Sequence, residues 1–177
     1  MDTNTRIIEV VEYDQKWPSQ FQAESDLIRS VLSSQIVAVH HIGSSAVPEL
    51  KAKPIIDIML EVIDVTALDS FDSQMQHIGY IPKGEYGIPE RRFYLKKDPI
   101  NRTHHIHAFK NKSLGAKKHL AFRDYLIAHP YIAEQYGELK SECARQCSSD
   151  IDKYCLGKEA FIEHHELLAL EWFKCQH

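Results

Sequence analysis

His41-Ile42-Gly43-Ser44-Ser45-Ala46 and, a few residues on, Ala52-Lys53-Pro54-Ile55-Ile56-Asp57-Ile58-Met59-Leu60-Glu61-Val62 form the stretch that decides the fold. An apolar run over residues 36–39 leads into it and reads as a strand, and Gly43-Ser44-Ser45 then turns the chain. Glycine accepts the positive φ of a tight turn, hydroxyls fold back on the backbone, and successive N–H groups there can form an anion-binding concavity. After Pro54, residues 55–63 read as a second strand, rich in β-branched side chains. Strand side chains alternate, so Asp57, Met59 and Glu61 share one face and Ile56, Ile58 and Leu60 the other. A carboxylate within such an apolar strand needs a partner. Two readings stand for Asp57: a carboxylate that ties the Gly-Ser turn, and a metal ligand beside a phosphate-binding turn.

Working outward, residues 66–78 read as a helix ended by Gly79, residues 80–81 as the start of a short strand, and residues 83–90 as a loop. Residues 91–97 and 103–109 read as a hairpin turned by Asp98-Pro99-Ile100-Asn101. Upstream, residues 6–12 read as a first strand. Asp14 then caps a helix with Pro18 in its first turn and Trp17, Phe21, Ile28, Val31 and Leu32 on its buried face. From Ser113 onward three helices follow, broken at His129-Pro130 and around Ser148-Ser149. An α/β part, residues 1–112, thus precedes an all-helical part, residues 113–177, in a single domain, since no linker composition separates them.

At 44% hydrophobic the chain can bury a core, and a net charge of −4 is too mild to imply a polyanionic partner. The distribution is more informative: residues 91–123 hold ten Lys or Arg and one acid, residues 134–171 nine acids and four basic residues. The basic segment reads either as a surface for a polyanion or as a sheet edge guarded by lysines. No apolar run approaches the roughly 20 residues of a membrane span, and the polar residues 1–6 lack a signal-peptide pattern. The four cysteines form no CxxC pair, and Cys143 and Cys147, one helical turn apart, read as small buried residues; a reducing cytoplasm fits.

Several residues are chemical candidates. His105 and His107 share one strand face, with His104 on the other, and two imidazoles at that spacing either ligate one metal or phosphate or are paired surface histidines. Lys53, Arg92, Arg102 and Arg123 either hold phosphates or form ordinary ion pairs, Arg123 with Asp124. In the last helix Lys158 and His165 interrupt a stripe of Ile151, Tyr154, Phe161, Ile162, Leu168, Ala169 and Trp172. Lys158 therefore either snorkels to water or faces an anion across a cleft. Lys140 follows an equivalent stripe, Ile132, Tyr136, Leu139 and Cys143, with the same choice.

The segment from His41-Ile42-Gly43-Ser44 through Ala52-Lys53-Pro54-Ile55-Ile56-Asp57 resembles the signature of the GrpB family, also called UPF0157. Arg102-Thr103-His104-His105-Ile106-His107, Phe122-Arg123-Asp124-Tyr125-Leu126, His129-Pro130, Leu139-Lys140 and Tyr154 with Lys158 match in family order, over nearly the whole chain. The resemblance implies an α/β (α+β) nucleotidyltransferase-like mixed sheet with a C-terminal helical bundle. It implies metal-assisted transfer of a nucleotidyl group to an acceptor. Gly43, Ser44 and Ser45 would seat phosphates, Asp57 and Glu61 would be the catalytic carboxylates, and Lys140 and Lys158 would reach the triphosphate. Asp57, His105 and His107 would hold a divalent metal, Mg or Mn, with Zn an alternative. The partner would be a nucleoside triphosphate or another phosphorylated small molecule, with RNA a further candidate and no membrane; some family members are fused to dephospho-CoA kinase. One departure matters. Met59 stands where the superfamily has its second carboxylate, Glu61 lies roughly 6–7 Å further along, and no acid sits on the later strand. That leaves open a non-catalytic nucleotide- or RNA-binding domain, and a metal-dependent phosphohydrolase using the histidine pair.

Overall fold

The computed structural model describes residues 8–147 and 149–177. Its elements run α1 (Trp17–Leu32), β1 (Ile36–Ile42), β2 (Ile56–Val62), α2 (Asp72–His77), β3 (Ile81–Pro82), β4 (Arg92–Lys97), β5 (Arg102–Lys110), α3 (Leu114–Ala128), α4 (Pro130–Gln146) and α5 (Ile151–Gln176). The five strands make one sheet in the order β1-β2-β5-β4-β3. Only β2 and β5 are parallel; β1 with β2, β4 with β5 and β3 with β4 are antiparallel. This is the mixed sheet followed by helices that the sequence predicts.

The alternation of β2 sorts its side chains between two layers. Ile56, Ile58, Leu60 and Val62 pack with Ile28 and Leu32 of α1, Met75 of α2 and Leu68. On the opposite face Met59 packs with Ile42, Phe109 and Ala116 of α3. The helices join that face through Val47 and Leu50, which follow the Gly-Ser turn and pack with Ala121, Tyr125, Ala133, Tyr136 and Ala169. The sheet face that bears Asp57 is therefore the one covered by the helical part.

Four local expectations change. Of the strand predicted over residues 6–12, residues 6 and 7 lie outside the described residues. The rest makes one isolated bridge, Val11 with Ala52, while Ile8 and Val10 pack against Cys147, Ile151 and Tyr154. Asp14 does not cap α1; its carboxylate accepts from the Lys16 N–H at 2.8 Å, a turn just ahead of the helix. The helix predicted over residues 66–78 opens as a 3₁₀ stretch, Val65–Phe71, and becomes α-helical only in α2. Side chains there compete for the backbone, Asp64 accepting from Thr66 N–H and Ser70 donating to the Ala67 carbonyl. Leu168, placed in the buried stripe of α5, is 42% exposed. The breaks between the three C-terminal helices fall where predicted, with Pro130 opening α4 and Asp150 capping α5; Ser148 lies outside the described residues. Cys143 and Cys147 are buried and free, whereas Cys155 and Cys175 are exposed.

Candidate metal and phosphate site

Asp57 is the second residue of β2 and lies beside His105 in the parallel register with β5, as Met59 lies beside His107. One carboxylate oxygen, Oδ1, stands 3.3 Å from His105 Nδ1 and 3.4 Å from His107 Nε2. The ligand atoms of all three lie within 4.8 Å of one another. Burial alone would raise the Asp57 pKa. Hydrogen bonds and charge interactions with His105 and His107 outweigh it and hold the carboxyl well below the usual range. Gly43 is required beside it: its φ is +71°, and a Cβ there would meet Asp57 Oδ2 at 2.9 Å. Ser45 is buried, with its hydroxyl 2.9 Å from His41 Nε2, and Ser44 interacts with the Tyr136 phenol of α4. The predicted turn thus abuts the predicted carboxylate and links the sheet to the helices.

The donor set suits a divalent transition ion. Ligands about 2.1 Å from a common ion stand about 3.0–3.4 Å apart, the spacing both imidazole nitrogens keep from Oδ1. One carboxylate with two imidazoles favours Mn or Zn over Mg, which prefers an all-oxygen shell.

Three lysines from separate parts of the chain lie within electrostatic reach of one another. Lys140 of α4 is 2% exposed, its Nζ has no hydrogen-bond partner, and it lies 4.6 Å from the centre of the Tyr136 ring. Burial, with the charges of Lys158 and Lys53, pushes its amine down to about 6, against the pull of Asp57. Lys158 of α5 and Lys53, just before β2, lie over the Tyr154 ring at 4.6 and 5.0 Å. Burial also lowers Lys158, opposed by Cys155, Asp57 and Cys143. The Tyr154 hydroxyl and His105 Nε2 are further buried polar atoms without a hydrogen-bond partner. Amines lying over aromatic rings within electrostatic reach of a carboxylate are complementary to a polyanion, whose arrival would favour the charged form of each.

The remaining predicted residues are placed differently. Glu61 is outside the Asp57 group and lies 4.0 Å from His40. Arg92 points to the other side of the sheet, because Phe93 takes the site face; its guanidinium forks onto Asp69 at 2.8 and 3.1 Å. Arg123 donates to the His41 carbonyl at 3.1 Å and to Asp124 at 2.8 Å, pinning α3 to β1. Arg102 borders a small cavity of about 40 Å³ together with Lys53 and donates to the Tyr86 hydroxyl at 3.2 Å. Of the basic stretch, Arg91, Arg92, Lys96 and Arg123 hydrogen-bond within the protein, whereas Lys97, Lys110, Lys112, Lys117 and Lys118 are exposed.

Two neighbours were not foreseen. Arg91 is 5% exposed and reaches His107 Nδ1 at 3.3 Å. Its parity with Phe93, rather than that of Arg92, marks the site face. His119 of α3 lies 5.2 Å from His107, ring to ring, and burial and then the charge of His107 push it to about 4. Its spacing from Ala116, on the sheet-facing side of α3, was the available signal. A cleft of about 1580 Å³ lies between residues 84–90, Lys110 and α3 and touches this group through His119.

A family model described as GrpB protein matches residues 7–167. The chain is 43% identical over 169 residues to the UPF0157 protein YqkA of Bacillus subtilis (strain 168), covering 96% of this chain and 49% of YqkA. It thus spans about half the length of that relative. The crystal structure of conserved protein GrpB from Enterococcus faecalis matches with a TM-score of 0.89 at 40% identity, covering 93% of this chain and 99% of that one. A dephospho-CoA kinase of Mycolicibacterium paratuberculosis is 24% identical over 190 residues, which cover 93% of this chain and 46% of that protein. The structure of the GLD-2/RNP-8 complex shares the fold, with a TM-score of 0.54 at 11% identity over 81% of this chain and 58% of that one. The five-stranded mixed sheet and its helices therefore share the fold seen in that complex. None of the helices among the described residues is long and apolar enough to cross a membrane. The chain belongs to the GrpB family, also designated UPF0157.

Proposed function

We propose that this protein binds a nucleoside triphosphate with a divalent ion between β2–β5 and α4–α5, and transfers its nucleotidyl group to an acceptor. The observation that carries the reading is the convergence of Lys53, Lys140 and Lys158 around Tyr136 and Tyr154, with Lys140 and Lys158 within electrostatic reach of Asp57. The lysines hold the phosphates as point charges, and the Gly43–Ser45 turn seats them against the sheet. Asp57, His105 and His107 hold the metal, which when bound neutralises charge on the phosphoryl oxygens. Arg91, which can only donate, lies 3.3 Å from His107 Nδ1, and the His119 ring packs against the same imidazole. The buried free thiols Cys143 and Cys147 accord with a reducing cytoplasm.

One observation favours a second reading, a nucleotide- or RNA-binding module without turnover: Met59 is fully buried among Ile42, Phe109 and Ala116 and supplies no second carboxylate. Calorimetry with ATP and Mn²⁺, alongside a pyrophosphate-release assay, separates them. Wild type should bind, and Lys158→Met should lose about 1.5–3 kcal/mol of affinity, the worth of a charge-assisted hydrogen bond, while remaining folded. Pyrophosphate release selects transfer, and binding without release selects the module. No ATP binding under any metal condition removes transfer and the nucleotide-binding module alike, leaving only an RNA-binding one.

A further inference from the structure

The loop over residues 83–90 presents an aromatic side chain whose placement packing alone does not require. Tyr86 is 48% exposed, yet its ring lies parallel to Phe93, with centroids 5.0 Å apart and an interplanar angle of 11°. Phe93 is 4% exposed and meets the His105 and His107 rings at 5.3 and 5.2 Å. Tyr86 is thus the outer plate of a two-ring stack whose inner ring, Phe93, meets the two imidazoles beside Asp57 at steep angles of 54° and 72°.

The backbone is held to keep it there. Tyr86 has φ +50°, a conformation unfavourable for a bulky side chain, and stands between Gly84 at +62° and Gly87 at +88°. The buried Arg91 guanidinium donates to the Glu85 and Tyr86 carbonyls at 3.2 and 2.8 Å, while its Nη1 lies 3.3 Å from His107 Nδ1. One side chain therefore fixes both the loop and an imidazole of the Asp57 group. Arg102, bonded to the Tyr86 hydroxyl, borders the same small cavity as Lys53, whose ammonium lies over Tyr154. Arg102 thus touches the stack and shares a cavity wall with one lysine of the cluster.

We propose that Tyr86 is the stacking platform for the nucleobase of the nucleotide, with Arg91 as the positioning residue that holds it over the site. The proposal rests on the triphosphate reading above. An aromatic face stacks any base, so the platform adds affinity with little choice among bases, and any selectivity comes from elsewhere.

The test is calorimetry on the full chain with Mn²⁺ and two probes, ATP and inorganic tripolyphosphate. Tyr86→Ala should weaken ATP about 5- to 150-fold and leave tripolyphosphate unchanged, and Tyr86→Phe should bind ATP nearly as wild type. ATP binding by Tyr86→Ala equal to wild type overturns the platform. So does equal loss of both probes, which would report a displaced loop rather than lost stacking. Wild type that binds tripolyphosphate no more weakly than ATP also overturns it, while leaving the phosphate site intact. Wild type that binds neither probe overturns the platform and the triphosphate reading together.

Discussion

Lys140 is subject to opposing demands. A buried ammonium without a hydrogen-bond partner weakens the fold, and the same charge beside Lys158 and Lys53 attracts an anion. Lys140→Met keeps most of the stem and removes the unpaired donor, so stability to urea at pH 6 should rise by about 1–3 kcal/mol while ATP affinity falls. The pH dependence has a defined sign. The folded amine titrates near 6 and the unfolded one near its ordinary 10.5, so the unfolded chain holds more protons between them. Wild type therefore gains stability as pH rises from 6 to 10, and the advantage of the Met variant should shrink; a constant difference would contradict the assignment. Gly43 makes the complementary case. Gly43→Ala combines a φ of +71° with a Cβ 2.9 Å from Asp57 Oδ2. It should lose about 1–2 kcal/mol of stability. By displacing the carboxylate it should also weaken Mn²⁺ binding about 10- to 100-fold, as measured by titration calorimetry.

At the scale of elements, period-two alternation made much of the sheet legible. It placed Asp57 apart from Ile56 and Ile58, and His105 with His107, before any coordinates. The same rule applied to β4 would have selected Arg91, which shares its parity with Phe93, over Arg92. What the sequence did not reveal was tertiary. Nothing local brings Lys53, Lys140 and Lys158 together, because the contact depends on how α4 and α5 pack over the Gly-Ser turn. Nor does composition distinguish a 3₁₀ stretch from a helix where Asp64 and Ser70 capture backbone groups. The α4–α5 packing is itself testable. A Cβ on Gly157 would meet Cys143 Sγ at 2.6 Å, so Gly157→Ala should push the helices apart beside Lys158. We expect a loss of about 1–3 kcal/mol on thermal or urea unfolding and weaker ATP binding; unchanged stability would mean that the helices are not in this close contact.

For the whole molecule, the histidines set the response to acid. Burial lowers His40, His41, His104 and His119, with His41 and His119 near 4, against about 6.5 in the unfolded chain. The unfolded state binds more protons between those values, so stability should fall progressively as pH drops from 6.5 to 4. Asp57, whose folded pKa is depressed, adds a further loss only once pH falls below its ordinary carboxylate value. Urea titrations at pH 7, 5.5 and 4 check this; a midpoint independent of pH across that range would contradict the burial of these imidazoles. The central claim is that Asp57, His105 and His107 hold a metal whose bound phosphates face Lys140 and Lys158. The most direct measurement is anomalous diffraction at the manganese edge from crystals grown with ATP and Mn²⁺. The account predicts a peak about 2.1–2.3 Å from the Asp57 carboxylate and both imidazoles, with phosphate density between that peak and the two lysines. ATP bound elsewhere, or a manganese peak away from Asp57, would contradict it.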